Sequence, residues 1–165
     1  MELYLIRHGI AVERGEYSED EARPLTENGE QKTKKVAQRL QELGLYFNLI
    51  LTSPLVRAKQ TAAIFKEVGL GEKILTFPDL KPEGNLENWV IWWRESGYNG
   101  DDNKLALVGH QPDLGNWTEL LVWGRIREKL IVKKAGVIGL KLPVNVTPIG
   151  NSELFLLTSP KWLIF

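Results

Sequence analysis

A three-layer α/β/α sandwich, its sheet mostly parallel with an antiparallel component near the C-terminus, is the fold class the sequence predicts. Three observations support it. Short apolar runs alternate with segments of helical periodicity. Glycine, proline or a polar cap separates them. The last two apolar runs lie too close together to enclose a crossover helix, so they are expected to pair antiparallel. The length of 165 residues suits one domain over 1–165 with a sizeable core. No repeat, low-complexity tract or linker divides it.

The first strand is Leu3-Tyr4-Leu5-Ile6, ending in Arg7-His8-Gly9. Continuous apolar residues imply burial on both faces, and the carboxyl end of such a strand is where ligands bind in open α/β sheets. Residues 10–23 read as a loop. Its acidic run (Glu13, Glu16, Glu19, Asp20, Glu21) is expected to be a solvated face; the alternative is that it edges a pocket. Thr26 caps the next helix, which carries Val36, Ala37, Leu40 and Leu43 on one stripe and stops at Gly44. The second strand covers 47–52. Ser53-Pro54 then signals a helix start, with serine as the cap and proline at the first helical position. Arg57 falls in the first turn, where free N–H groups and the helix dipole favour an anion. Ala58, Thr61, Ala62, Phe65 and Val68 form its packing face, and Gly69 ends it.

A short strand over 74–77 leads into a loop at 78–85 rich in turn formers. Asn85 caps a helix with Leu86, Trp89, Val90 and Trp93 facing the core and Trp92 off that stripe. A polar connection at 97–103 precedes the strand 104–109, whose small and β-branched residues suit the middle of a sheet. His110-Gln111-Pro112 follows it. A helix with Trp117, Leu120, Leu121 and Trp123 ends at Gly124; the basic stretch 125–134 has no clear assignment. The last strands are 136–142 and 153–158.

Composition narrows the function. Hydrophobic residues make up 43% and charged residues 25%, an ordinary globular balance. With 21 basic and 21 acidic residues, no bulk positive field points to nucleic acid or an anionic membrane. Cysteine is absent, which excludes disulfides and thiol catalysis, and two histidines cannot build a three-histidine zinc site. No metal or cofactor is expected. Neither a signal peptide nor a long apolar span is evident, so a cytoplasmic enzyme is the default.

If strands one, two and four are neighbours, Arg7, His8, Arg57 and His110 converge above one edge of the sheet. Such a cluster suits a phosphoryl group, whose non-bridging oxygens take charge-assisted bonds from arginine forks. An unprotonated imidazole nitrogen is a competent nucleophile toward phosphorus. One histidine attacks and the other binds oxygen; residue chemistry alone leaves open which is which.

The motifs resemble those of the histidine phosphatase superfamily, and most closely its small SixA-type phosphohistidine phosphatases, with a phosphoglycerate mutase-like fold. Leu5-Ile6-Arg7-His8-Gly9 matches the first signature, Thr52 to Thr61 is similar to the second, and Val108-Gly109-His110-Gln111-Pro112 resembles the third. Arg23-Pro24-Leu25-Thr26-Glu27-Asn28-Gly29 looks like the stretch after the first loop of the SixA branch. The resemblance implies His8 as the phosphorylated nucleophile, with Arg7, Arg57, His110 and additionally Arg23 holding the phosphate. It also implies that the other ring nitrogen of His8 donates to a backbone carbonyl, that of Gly9. Larger relatives add a proton-donating carboxylate, and Glu83 lies in the region where one is sought.

The expected substrate is a phosphohistidine borne by another protein, such as a phosphotransfer domain or phosphocarrier protein, because short insertions imply an open pocket without a large cap. The alternative is a small phosphate ester with Glu83 as general acid. A mutase, which needs an enclosed site, and a noncatalytic phosphate-binding module are less favoured. A monomer is expected.

Overall fold

A computed structural model describes residues 1–164. Its framework is one six-stranded sheet. In chain order the elements are β1 (Glu2–Arg7), α1 (Glu27–Glu42), β2 (Leu49–Thr52), α2 (Val56–Val68), β3 (Ile74–Thr76), α3 (Leu86–Glu95), β4 (Lys104–Gly109), α4 (Asp113–Trp123), β5 (Val137–Lys141), β6 (Glu153–Thr158) and α5 (Pro160–Leu163). The strand order is β3-β2-β4-β1-β5-β6. β1, β2, β3 and β4 run parallel, while β5 is antiparallel to both β1 and β6. The predicted α/β/α class is therefore the observed one, including the C-terminal antiparallel pair.

Period-two alternation divides the core between the sheet's faces. Tyr4, Ile6, Ile50, Ala106 and Val108 point to one face, where they meet Val36, Ala37 and Leu40 of α1 and Ala58, Ala62 and Phe65 of α2. Leu3, Leu5, Leu49, Leu51, Leu105 and Leu107 point to the other, against Trp89 and Trp93 of α3 and Leu114, Trp117 and Leu121 of α4. Ala58 and Ala62 of α2 and Ala106 of β4 belong to the same buried cluster, and such small side chains let a helix lie close to a sheet. No described helix is long and apolar enough to cross a membrane.

Most predicted elements are present, with shifted ends. Thr26 caps α1 by accepting from the Gly29 N–H at 2.9 Å, and Asn85 caps α3 by accepting from the Glu87 N–H at 2.8 Å. Leu43 is not on the buried stripe: α1 ends one residue before it, and its side chain is exposed. Trp123 is also exposed, whereas Trp92 packs against Phe77 with ring centroids 5.6 Å apart. The helix after β2 begins at Val56, not at Pro54, and Ser53 does not cap it. The stretch 125–134 forms neither helix nor strand. Two short 3-10 turns (Asp20–Ala22 and Pro78–Leu80) and the brief α5 have no clear sequence signal.

Register brings the strand ends together. Arg7 pairs with Gly109, and Thr52 with Val108, so His8, Ser53 and His110 each lie one residue beyond the paired strands. Backbone bonds continue the alignment: the His8 N–H donates to the Gly109 carbonyl at 3.1 Å and the Ser53 N–H to the Val108 carbonyl at 2.9 Å.

Candidate active site

The carboxyl edge of β1, β2 and β4 opens into a cavity of about 530 Å³. Arg7, His8, Arg23, Arg57, Glu83 and His110 all line it, so every candidate site residue of the sequence reaches one cavity. Arg14, Lys134 and Asp113, which no sequence motif marks, line it as well.

His8 is buried, with its Nδ1 2.7 Å from the Gly9 carbonyl oxygen. A carbonyl only accepts, so Nδ1 carries the proton and Nε2 keeps its lone pair. The Arg57 Nε–H points at that lone pair from 3.3 Å. Gly9 itself is held by its N–H, which donates to Thr61 Oγ1 at 3.0 Å; Thr61 in turn donates to the Arg57 carbonyl at 2.8 Å. A side chain at position 9 would collide with Thr33 Oγ1, so only glycine lets this loop lie against α1. Gln60 performs a similar task, accepting from the Leu25 N–H at 2.7 Å. The first helical turns of α2 thus order both loops beside His8.

His110 lies beside His8, with ring centroids 5.1 Å apart. Its Nε2 is 2.8 Å from Ser53 Oγ, while its buried Nδ1 has no hydrogen-bond partner among the described residues. This explains why Ser53 is not a helix cap: its hydroxyl is engaged by His110 and by the Leu55 N–H at 3.2 Å. Arg7 likewise has a buried Nε without a partner among the described residues. A ligand rich in acceptor oxygens fits Arg7 Nε, since a buried donor left unpaired costs about 1–3 kcal/mol, and it fits His110 Nδ1 in the tautomer where the Ser53 hydroxyl donates to Nε2.

The arginines are held in different ways. Asp20, from the acidic loop, bridges two of them. Its carboxylate accepts from Arg57 Nη2 at 3.1 Å and Arg23 Nε at 2.8 Å, and its carbonyl accepts from Arg57 Nη1 at 2.8 Å. Partial burial works against the Asp20 charge, but Arg23 and Arg57 together hold its carboxyl below the usual range. Asp20 is thus a structural anchor inside a run expected to be merely solvated, while Glu13 lines the cavity. Glu16, Glu19 and Glu21 are exposed as expected. Arg7 has no carboxylate partner among the described residues; its Nη1 donates to the Val132 carbonyl at 3.1 Å.

The two candidate carboxyls differ. Glu83 is exposed, at the cavity rim, with a positive φ of 67°. Asp113 is half-buried, and its Oδ2 accepts from the Glu83 N–H at 3.3 Å. Desolvation and the neighbouring Glu83 charge push its carboxyl up, against the opposing effect of that bond.

Desolvation, reinforced by neighbouring positive groups, lowers His8 to about 3 and His110 to about 4; the bond to Gly9 partly opposes this in His8. Both rings are therefore neutral near pH 7. Above about pH 6.5, folded and unfolded chains are alike in these groups. As pH falls below that value, the unfolded chain takes up protons that the folded chain refuses until its own lower pKa values are reached. Stability is thus lost through this window and levels off below it, as far as these two groups are concerned. For His110 the loss amounts to roughly 3 kcal/mol. His110→Ala is expected to make denaturant-measured stability less steeply pH-dependent between pH 6.5 and 4; a slope equal to wild type would contradict the assignment.

The chain belongs to the histidine phosphatase superfamily (branch 1), whose family model matches residues 3–90. That span includes Arg7, His8, Arg23, Arg57 and Glu83, with His110 beyond it. The chain is a phosphatase of that superfamily. An uncharacterized protein of Picosynechococcus is 52% identical over 165 residues, covering 99% of both chains. The mitochondrial serine/threonine-protein phosphatase Pgam5 of Drosophila ananassae is 39% identical over 117 residues, which covers 70% of this chain but 32% of that protein. Among solved structures, the protein histidine phosphatase SixA complexed with tungstate superposes with a TM-score of 0.85 at 23% identity, covering 99% of both chains. The α-ribazole phosphatase of Shigella flexneri gives a TM-score of 0.70 at 20% identity, covering 97% of both. The fold is SixA-like.

Proposed function

We propose that this chain is a protein phosphohistidine phosphatase that works through a phosphoryl group carried transiently on His8. The observation that carries the reading is the buried, neutral His8, with Nδ1–H committed to Gly9 and its Nε2 lone pair turned into the cavity, where the Arg57 Nε–H holds it until a phosphoryl group takes that place. Nε2 forms a bond to phosphorus as the bond from phosphorus to the substrate imidazole breaks, and the electron pair leaves with that imidazole. Water then attacks the phosphoryl group on His8, releasing inorganic phosphate and restoring the ring. Arg7, Arg23, Arg57 and His110 take the non-bridging oxygens, so the charge developing on them meets fixed donors. No metal is given a role in this scheme.

The leaving group supports phosphohistidine over an ester. A free imidazole has a pKa of about 6.5, so its departure needs little proton donation, whereas an alkoxide requires a general acid. Phosphate release from a histidine-phosphorylated phosphotransfer domain or phosphocarrier protein tests the reading. Release is expected with wild type and not with His8→Ala. Cleavage of small esters alone would defeat the protein-substrate assignment.

Asp113 favours a second reading, hydrolysis of small phosphate esters. A half-buried carboxyl pushed upward in the same cavity is suited to hold the proton such a donor gives, which exposed Glu83 at the rim lacks the burial to do. Asp113→Asn is expected to lower kcat on alkyl phosphate esters by about 10²-fold or more, while changing turnover of phosphohistidine severalfold at most. Parallel steady-state assays check this, with Glu83→Gln as the comparison. Equal losses on both substrate types would remove Asp113 from the role.

A further inference from the structure

Glu119, in the middle of α4, has its side chain fully buried. We propose that it is a positioning residue for Arg7, acting through the irregular stretch 125–134; this rests on the reading of Arg7 as a phosphoryl ligand. The Glu119 carboxylate accepts from four consecutive backbone N–H groups. Oε2 takes those of Arg127 and Glu128, the latter at 2.9 Å, and Oε1 takes those of Lys129 at 2.6 Å and Leu130 at 2.8 Å. Burial works to raise this carboxyl, but the four donors outweigh it and hold it below the usual range. A stretch without helix or ladder bonds thereby receives a fixed shape from one side chain.

That shape matters because residues 130–135 reach directly into the site. The Leu130 carbonyl accepts from Gln111 Nε2 at 3.0 Å, next to His110. Two residues on, Val132 is buried, and its carbonyl accepts from Arg7 Nη1. Ala135 donates its N–H to the carbonyls of Arg7 and His8, both at 3.1 Å. The bond to Val132 is the sole side-chain hydrogen bond of Arg7 among the described residues. Arg23 and Arg57 are aligned by a carboxylate that also offsets their charge. A neutral carbonyl orients Arg7 while leaving its full positive charge for the ligand, and Glu119 fixes the chain that supplies it. Gly115 serves the same contact from the helix side, since a side chain there would collide with the Leu130 carbonyl.

A double-mutant cycle on the full chain, read by calorimetric titration with inorganic phosphate, tests the proposal. Glu119→Gln keeps the shape but turns one acceptor into a donor facing N–H groups. It is expected to weaken phosphate binding roughly tenfold, by losing Arg7's alignment. In an Arg7→Ala background the same change should cost nothing further. Gly115→Ala, which displaces the stretch without altering charge, should show the same dependence on Arg7 and serves alone if Glu119→Gln does not fold. Equal losses with and without Arg7 would overturn the proposal, as would wild-type affinity in both Glu119→Gln and Gly115→Ala. An Arg7→Ala protein that binds phosphate as tightly as wild type overturns both this inference and the ligand role of Arg7. If Arg7→Ala weakens binding while the other two variants do not, only the positioning claim fails.

Discussion

His8→Ala is expected to lower phosphate release by on the order of 10⁴-fold or more, because it removes the atom that forms the bond to phosphorus. The change should separate chemistry from binding. Arg7, Arg23, Arg57 and His110 remain around the cavity, so inorganic phosphate is expected to bind within a few-fold of wild type. Stability should also depend less steeply on pH between about 6.5 and 3. His8 is held neutral down to about pH 3, and replacing it removes one source of the stability lost below pH 6.5. Phosphate release and titration with phosphate, measured on the same preparation, check both halves. Appreciable turnover without His8 would mean that another group attacks phosphorus.

Arg57→Ala should be the next most damaging change, lowering kcat/KM by about 10²–10³-fold. The buried Arg57 guanidinium has three simultaneous tasks. It donates Nε–H to His8 Nε2, binds the Asp20 carboxylate and carbonyl, and lines the cavity where phosphoryl oxygens are to be held. Without it, the Asp20 carboxylate keeps Arg23 but loses half of its bridge. Arg57→Lys is expected to recover little activity, since an ammonium cannot hold the fork geometry between Asp20 and His8. Steady-state kinetics on one phosphohistidine substrate decide the matter. Near-wild-type activity in the lysine variant would reduce Arg57 to a point charge.

Much of this arrangement is legible in the sequence because strand ends announce themselves. Arg7-His8, Ser53 and His110 each come after an apolar run, and neighbouring parallel strands bring such ends together. Cap residues at Thr26 and Asn85 are readable for the same local reason. Ser53-Pro54 carries the same local signal, yet Ser53 has its hydroxyl drawn to His110 from another strand. Local pattern cannot register that competition. Asp20 lies in an acidic run where four neighbours are plain surface or cavity-rim residues, and only tertiary contact with Arg23 and Arg57 sets it apart. Glu119 is the least legible of all. Glutamate on a helix normally implies solvent, and the four N–H groups that make its burial tolerable come from a stretch with no periodicity. Lys134 and Arg14 are hidden similarly, among other basic and polar loop residues. Leu43 departs from expectation for a simpler reason: its stripe position falls just beyond the last helical residue.

The central claim is that phosphorus is bonded to His8 during turnover. Rapid mixing with a histidine-phosphorylated phosphocarrier protein, alkaline quenching and mass-spectrometric localisation measure this directly. Phosphate is expected on Nε2 of His8, appearing before inorganic phosphate and decaying at a rate sufficient for turnover. Release of inorganic phosphate with no phosphorylated His8 at any time, or with His110 carrying the group instead, would contradict it.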